Sequence, residues 1–313
     1  MPDDVYTVAQ LYYMQGETMD SIARQFNTSR STISRLLKEA REAGVVEIHV
    51  RQREQSTTTL ASTLRSLFGV NVTVVPVKGQ ATEVARLDKV AKVAAQTLTE
   101  IVKEGDTIGV AWGTTLNAIV SHLRPREHSG TTLVQLNGGA NGLTTGIPYV
   151  GSIMSTMAQL WDSQMVLFPV PAFFDYPETR EAMWRERSVQ NVRTAQRSCD
   201  VAVFGVGSMS AGVPSHVYSA GYLSEEDLRS LRADRVVGDI CTVLLREDGS
   251  WRNVSLNRRA SGLTPTELQV IGRRLCVASG VAKAVPLLAA LRARAVTDVV
   301  LDDGAARALL ERL

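Results

Sequence analysis

Cysteine, aromatic residues and surplus charge are all scarce in this chain of 313 residues. Its three cysteines, Cys199, Cys241 and Cys276, are odd in number, far apart and in no metal-like spacing. Neither a disulfide framework nor a zinc site is expected from them, and reduced thiols packed in a core are the simplest reading. No apolar stretch approaches the length of a membrane span, and Met1-Pro2-Asp3-Asp4 lacks the basic start and apolar run of a signal peptide. The expectation is a cytoplasmic protein with no membrane partner, no cofactor and no metal. A formal net charge of +2 demands no nucleic-acid partner, and residues 1–53 balance seven Lys or Arg against seven Asp or Glu. There is no internal repeat or low-complexity tract.

What is present begins with residues 18–43, which read as two short helices joined by a turn at Asn27-Thr28. In the second helix Ile33, Leu36, Leu37 and Ala40 recur on one face, while Arg30, Ser31, Ser34, Arg35 and Lys38 fall on the other. Ser29 is placed to cap it. Ile22, Ala23 and Phe26 supply the apolar side of the first helix, and a helix over Val5–Gln15 would complete a three-helix core. A DNA-reading helix needs short polar side chains at its N-terminal end for base edges and longer basic ones beyond for phosphates. Ser29, Arg30, Ser31, Thr32, Ser34 and Arg35 meet the first need, Lys38 and Arg41 the second. An ordinary helical hairpin with a solvated charged face explains the periodicity alone; cap, turn, polar tip and basic shoulder together favour a helix-turn-helix. Residues 45–50 alternate like a strand and could form a wing, with Arg51 and Arg53 near the DNA backbone.

The chain is long enough for a second domain with its own core. The expected division is a winged helix-turn-helix over 1–53, a linker and oligomerisation helix over 54–70 marked by Leu60, Leu64, Leu67 and Phe68, and an effector domain over 71–313. Within the last, strand-like runs at 72–77, 106–112, 131–137, 164–170, 200–207, 239–245 and 298–303 alternate with helical patterns at 84–102, 116–123, 153–161, 188–196, 225–231 and 281–293. Strand, helix, strand in succession predicts an α/β fold, Rossmann-like, with a mostly parallel sheet covered on both faces. Ligands bind such sheets at the carboxyl ends of the strands. Gly113-Thr114-Thr115 follows one strand, Asn137-Gly138-Gly139 another, Gly207-Ser208 a third, and Pro169-Val170-Pro171 ends a fourth. Any single glycine-rich turn reads as turn chemistry; several converging at strand ends predict a pocket for a small polar ligand.

On these markers the chain resembles the SorC family of sugar-responsive bacterial transcriptional regulators. They are SRSTISRLLKEAREAGVVEI at 29–48, GVAWGTTL at 109–116, VQLNGG at 134–139, LFPVPAF at 167–173, FGVGS at 204–208, GDI at 238–240 and the block from Ser279 to Leu310. The resemblance covers nearly the whole length. It implies a winged helix-turn-helix and an effector domain similar to sugar-phosphate isomerases, with a phosphorylated sugar or related polyol as ligand and operator DNA as partner, in a homodimer or homotetramer. By motif, Gly113, Thr114 and Thr115 resemble the phosphate-side loop, Gln135 and Asn137 the sugar-facing strand end, and Asp239 and Lys283 the polar groups across the pocket. A helix-capping Asp and a solvated Lys are the ordinary readings of the last two. Ser279-Gly280 stands where many relatives have two glycines, and Asn137 is neutral where a basic residue would meet a second phosphate. A monophosphate or an uncharged polyol is left as the ligand.

A ligand-controlled transcription factor accounts for both halves. The alternative is a sugar-phosphate isomerase with an added helical domain, and turnover would need an acid and base near the sugar carbons. Asp239 and His216 are the only obvious pair, so no catalytic residue is assigned. A purely structural DNA-bridging protein would leave the strand-end loops unexplained.

Overall fold

The computed structural model describes residues 3–46, 57–126, 130–141, 147–209, 211 and 215–313, which divide into two compact units at Glu54/Gln55. The segment predicted as the wing lies outside the described residues from Glu47 onward, as do Arg51 and Arg53. In the first unit, helices α1 (Asp3–Tyr13), α2 (Met19–Gln25) and α3 (Arg30–Glu42) pack around Val8, Ile22, Ala23, Ile33 and Leu37. Each end is specified locally. The Thr18 hydroxyl accepts from the Ser21 amide and the Ser29 hydroxyl from the Thr32 amide, satisfying donors that the first helical turn leaves open. Asn27, at φ 48°, makes the sharp reversal between α2 and α3.

The second unit begins with helix α4 (Thr57–Phe68) and is built on strands β1 (Asn71–Val75), β2 (Thr107–Val110), β3 (Thr132–Gln135), β4 (Gln164–Val166), β5 (Val201–Gly205), β8 (Arg273–Ala278) and β9 (Asp298–Asp302). Their order in the sheet is β1-β9-β8-β5-β2-β3-β4, and every pairing is parallel. Side-chain alternation fills both faces. Val201, Val203, Leu275 and Val277 enter one core with helix α5 (Glu83–Ile101), while Ala202, Phe204, Cys276 and Ala278 enter the other with the helix Ala284–Arg292. Along α5, Val90, Ala91, Ala94, Ala95 and Leu98 keep the three-and-four spacing of a buried stripe. Among the described residues no helix is long and apolar enough to cross a membrane.

Two expectations are corrected. The run DICTVLL is not a strand of this sheet: it splits into β6 (Val236–Ile240) and β7 (Val243–Arg246), a separate antiparallel hairpin. The reversal falls at Cys241 and Thr242, whose φ values of 47° and 66° are unusual for residues with side chains. The seventh strand of the sheet is instead β8, whose Arg273-Arg274 start masks four buried apolar positions. Helix α4 places Leu60 and Leu64 in its own unit's core against β1 and the helix Asp303–Leu310, leaving Leu67 exposed. Its apolar face is therefore occupied within the subunit.

Candidate functional site

From β2 the chain steps to β3 and β4, then returns to β2's other side at β5. Loops after β2 and β5 diverge there and leave a crevice at the carboxyl ends, the position where open α/β sheets bind ligands. Gly113 follows β2 and starts helix α6 (Thr114–Val120) with φ 147°, and a Cβ added to it would meet nothing within 4 Å. A pocket of about 50 Å³ opens beside it, lined by Gly113, Thr114, Thr115, Asn137, Gly207, Ser215, His216, Asp239, Thr242 and Lys283.

The β6–β7 hairpin delivers the carboxylate. Gly207, just past β5, bridges to Asp239, its amide donating to the Asp239 carbonyl at 2.8 Å. A Cβ on Gly207 would lie 1.7 Å from Asp239 Oδ1, so only glycine lets the two segments meet. Asp239 Oδ2 accepts from the Thr242 amide at 3.1 Å. The Tyr218 phenol sits beside this carboxylate, yet neither its hydroxyl nor Asp239 Oδ1 finds a partner with hydrogen-bond geometry. Burial raises the Asp239 pKa, opposed by Tyr218 and Lys283. The capping role is excluded, since Asp239 lies inside a strand.

Lys283 is no solvated lysine either: it is 8% exposed, and its Nζ donates to the Val206 carbonyl at 2.9 Å and to Ser215 Oγ at 2.8 Å. Burial pushes its pKa down to about 8, against the opposing fields of Asp239 and Glu83. Since the folded value lies below the 10.5 of a free lysine, the unfolded chain holds the extra proton between the two, and this contribution to stability rises with pH through that window. The buried thiols act the opposite way, Cys199 and Cys276 being pushed up to about 12. Comparison with Lys283→Gln cancels them. The unfolding free energy of the chain should gain on that variant by about 1 kcal/mol between pH 8 and 9, read by chemical denaturation. A difference that stays level across that range would contradict the buried, charged lysine.

Asn137 is 1% exposed, and its Oδ1 has no partner among the described residues. Gly113, Thr114, Thr115, Asn137, Gly207, Asp239 and Lys283 thus converge. Other predicted site residues do not line this pocket. Gln135 is fully used inside: its Oε1 accepts from the Phe168 amide at 2.9 Å, and its Nε2 donates to the Asn137 carbonyl at 2.7 Å. Gly138 and Gly139 are glycines because Cβ atoms would strike the Val170 and Pro171 carbonyls or Val150. Ser208 anchors its loop, donating through its hydroxyl to the Ala282 carbonyl. Pro171 borders a different, larger cleft of about 1000 Å³, lined also by Phe173, Tyr222 and Arg259. None of the residues lining that cleft holds a buried polar atom without a partner among the described residues, whereas Asn137 and Asp239 of the smaller pocket do. Trp112 stands between them, stacked on Tyr222 with centroids 5.0 Å apart and donating from Nε1 to the Gly138 carbonyl. Ser215 lines this pocket, Tyr218 adjoins its Asp239 and Thr242 lines it too, and sequence reasoning missed all three. The nearness of the first two to His216 in the chain is the signal that could have found them. His216 lines the pocket with its pKa lowered by burial, which favours the neutral imidazole.

On the first unit, Ser29, Arg30, Ser31, Ser34, Arg35 and Lys38 are exposed and Thr32 is half-buried. Arg30 lies 3.9 Å from Asp20 and Lys38 3.6 Å from Glu42, both as exposed pairs. Ser29 is committed as the α3 cap and is shared with Ser31 and Thr32 through their hydroxyls.

The family model described as "Putative sugar-binding domain" matches residues 52–311, and a helix-turn-helix domain model matches residues 8–53. The chain is 28% identical over 305 residues to the deoxyribonucleoside regulator of Bacillus subtilis (strain 168), covering 97% of this chain and 96% of that protein. A domain of a possible sugar-binding transcriptional regulator from Arthrobacter aurescens TC1 has a similar structure, with TM-score 0.78 and 43% identity over 83% of this chain and 99% of that one. The full-length sorbitol operon regulator SorC from Klebsiella pneumoniae aligns over 98% of this chain and 97% of its own, with 27% identity and TM-score 0.71.

Proposed function

Because the chain belongs to the SorC family, whose members join a helix-turn-helix to a sugar-binding domain, we propose that it controls a carbohydrate or polyol catabolic operon by binding operator DNA. In this reading α3 enters the major groove, with Arg30, Ser31, Thr32, Ser34 and Arg35 toward base edges and Lys38 toward phosphate. The effector is a sugar phosphate or related polyol seated among Gly113, Thr114, Thr115, Asn137, Asp239 and Lys283. One observation carries the proposal: two buried acceptors without partners, Asn137 Oδ1 and Asp239 Oδ1, border a pocket that also holds a buried lysine. Proteins seldom keep such atoms unsatisfied, because each costs about 1–3 kcal/mol, and ligand hydroxyls would satisfy both.

An effector that fits one arrangement of the protein better than another shifts that equilibrium by its differential affinity, and operator binding shifts with it through linkage. A pair of heads on two-fold related half-sites supplies the specificity one head lacks, so the assembly is a homodimer or homotetramer. Operator binding by the full chain, measured with and without candidate effectors and alongside sedimentation, tests these points together. The expected outcome is an oligomer whose operator affinity moves with one effector and whose progress curve for that compound stays flat. A monomer at micromolar concentration would refute the assembly, and steady consumption of the compound would refute pure sensing.

A further inference from the structure

The charges around the pocket narrow the ligand class, given the reading of this pocket as the effector site. Among the described residues lining it, Asp239 and Lys283 are the only aspartate, glutamate, lysine or arginine, and His216 is held toward its neutral form. Lys283 has already spent two of its three hydrogens on Val206 and Ser215, and Glu83 adds a second negative field to that of Asp239.

We propose that the effector is an uncharged polyhydroxylated molecule, a free sugar or polyol, and that its phosphate esters are discriminated against. A phosphate dianion would bring two charges into a buried space where the single cation already faces a carboxylate. Esterification also replaces one hydroxyl donor with oxygens that only accept. Asn137 Oδ1 and Asp239 Oδ1 are both acceptors, so their partners must be donors. Hydroxyl groups donate to them and can in turn accept from the remaining Lys283 hydrogen and from the hydroxyls of Thr114 and Thr115. A site built to hydrogen-bond hydroxyls also rejects analogues that leave its buried groups unpaired.

The test sets free pentitols, hexitols, aldoses and ketoses against their monophosphates, with sodium sulfate as the ionic control. Thermal shift of the full chain identifies ligands and calorimetry ranks each matched pair. At least one free compound should bind ten-fold or more tightly than its own ester. Asp239→Asn should weaken it by at least ten-fold, and Asn137→Lys, which supplies the missing cation, should move the free-to-ester ratio ten-fold toward the ester. A monophosphate that binds the unmodified chain more tightly than its parent polyol would overturn the inference while leaving effector control intact. Silence from both series, with operator binding equally unmoved, would instead overturn the reading of this pocket as an effector site.

Discussion

Gly207→Ala should weaken the effector response at least ten-fold while leaving operator binding intact. The added methyl would sit 1.7 Å from Asp239 Oδ1, within a backbone bridge that holds the β6–β7 hairpin against the loop after β5. Neither side can absorb that overlap in place, because Asp239 is itself tied through Oδ2 to the Thr242 amide. The carboxylate has to swing out of the pocket or the bridge has to open, at an overpacking cost of about 1–3 kcal/mol. Operator affinity measured without effector should match the unmodified chain, and the effector concentration needed for a response should rise at least ten-fold. Gly113→Val provides an independent arm. Its side chain would occupy open space beside the pocket and would have to hold φ 147°, which a β-branched residue resists. An effector response that survives both substitutions would eliminate the proposed site.

The second large effect belongs to Arg35. It stands exposed on α3, and no ion pair holds it among the described residues, so its guanidinium is available for bidentate contact with a base edge. Arg35→Ala should weaken operator binding by about 1–3 kcal/mol and leave random-sequence DNA almost unaffected. Lys38→Ala should weaken both alike and lower the salt slope by about one, as expected for a lost phosphate contact. Equal losses on operator and random DNA for Arg35→Ala would mean that Arg35 touches only the backbone.

Periodicity and turn chemistry carried most of the fold. α3 was legible because its cap, apolar stripe and polar tip are all local features of 29–42. Six of the seven sheet strands were legible as short apolar runs, and β2, β3, β5 and β9 among them are buried on both faces. DICTVLL misled for the same reason: it too is an apolar run, and its division at Cys241-Thr242 uses left-handed residues that no glycine announces. Strand-end logic located the crevice but not the direction of each side chain within it. Gln135 and Asn137 are two residues apart, yet Gln135 turns into the interior to hold Phe168 while Asn137 reaches the pocket. The convergence of Asp239 with Gly207 depends on a backbone bridge between segments over thirty residues apart, which no local pattern encodes.

The pairing of β1 with β9 has a consequence for how the chain is made. β1 lies at the edge of the sheet, and its one strand neighbour is β9, with Asn71 opposite Asp298 and joined to it through their side chains. During synthesis, α4 and β1 must wait with Leu60, Leu64, Val72 and Val74 uncovered until residues 76–297 have followed, on the order of ten to fifty seconds at ordinary elongation rates. The three-helix unit ahead of them closes with local contacts alone and can be complete long before. Nascent chains therefore carry a finished DNA-binding head on an unfinished sheet, and the closing strand is the step at which aggregation and chaperone capture compete with folding.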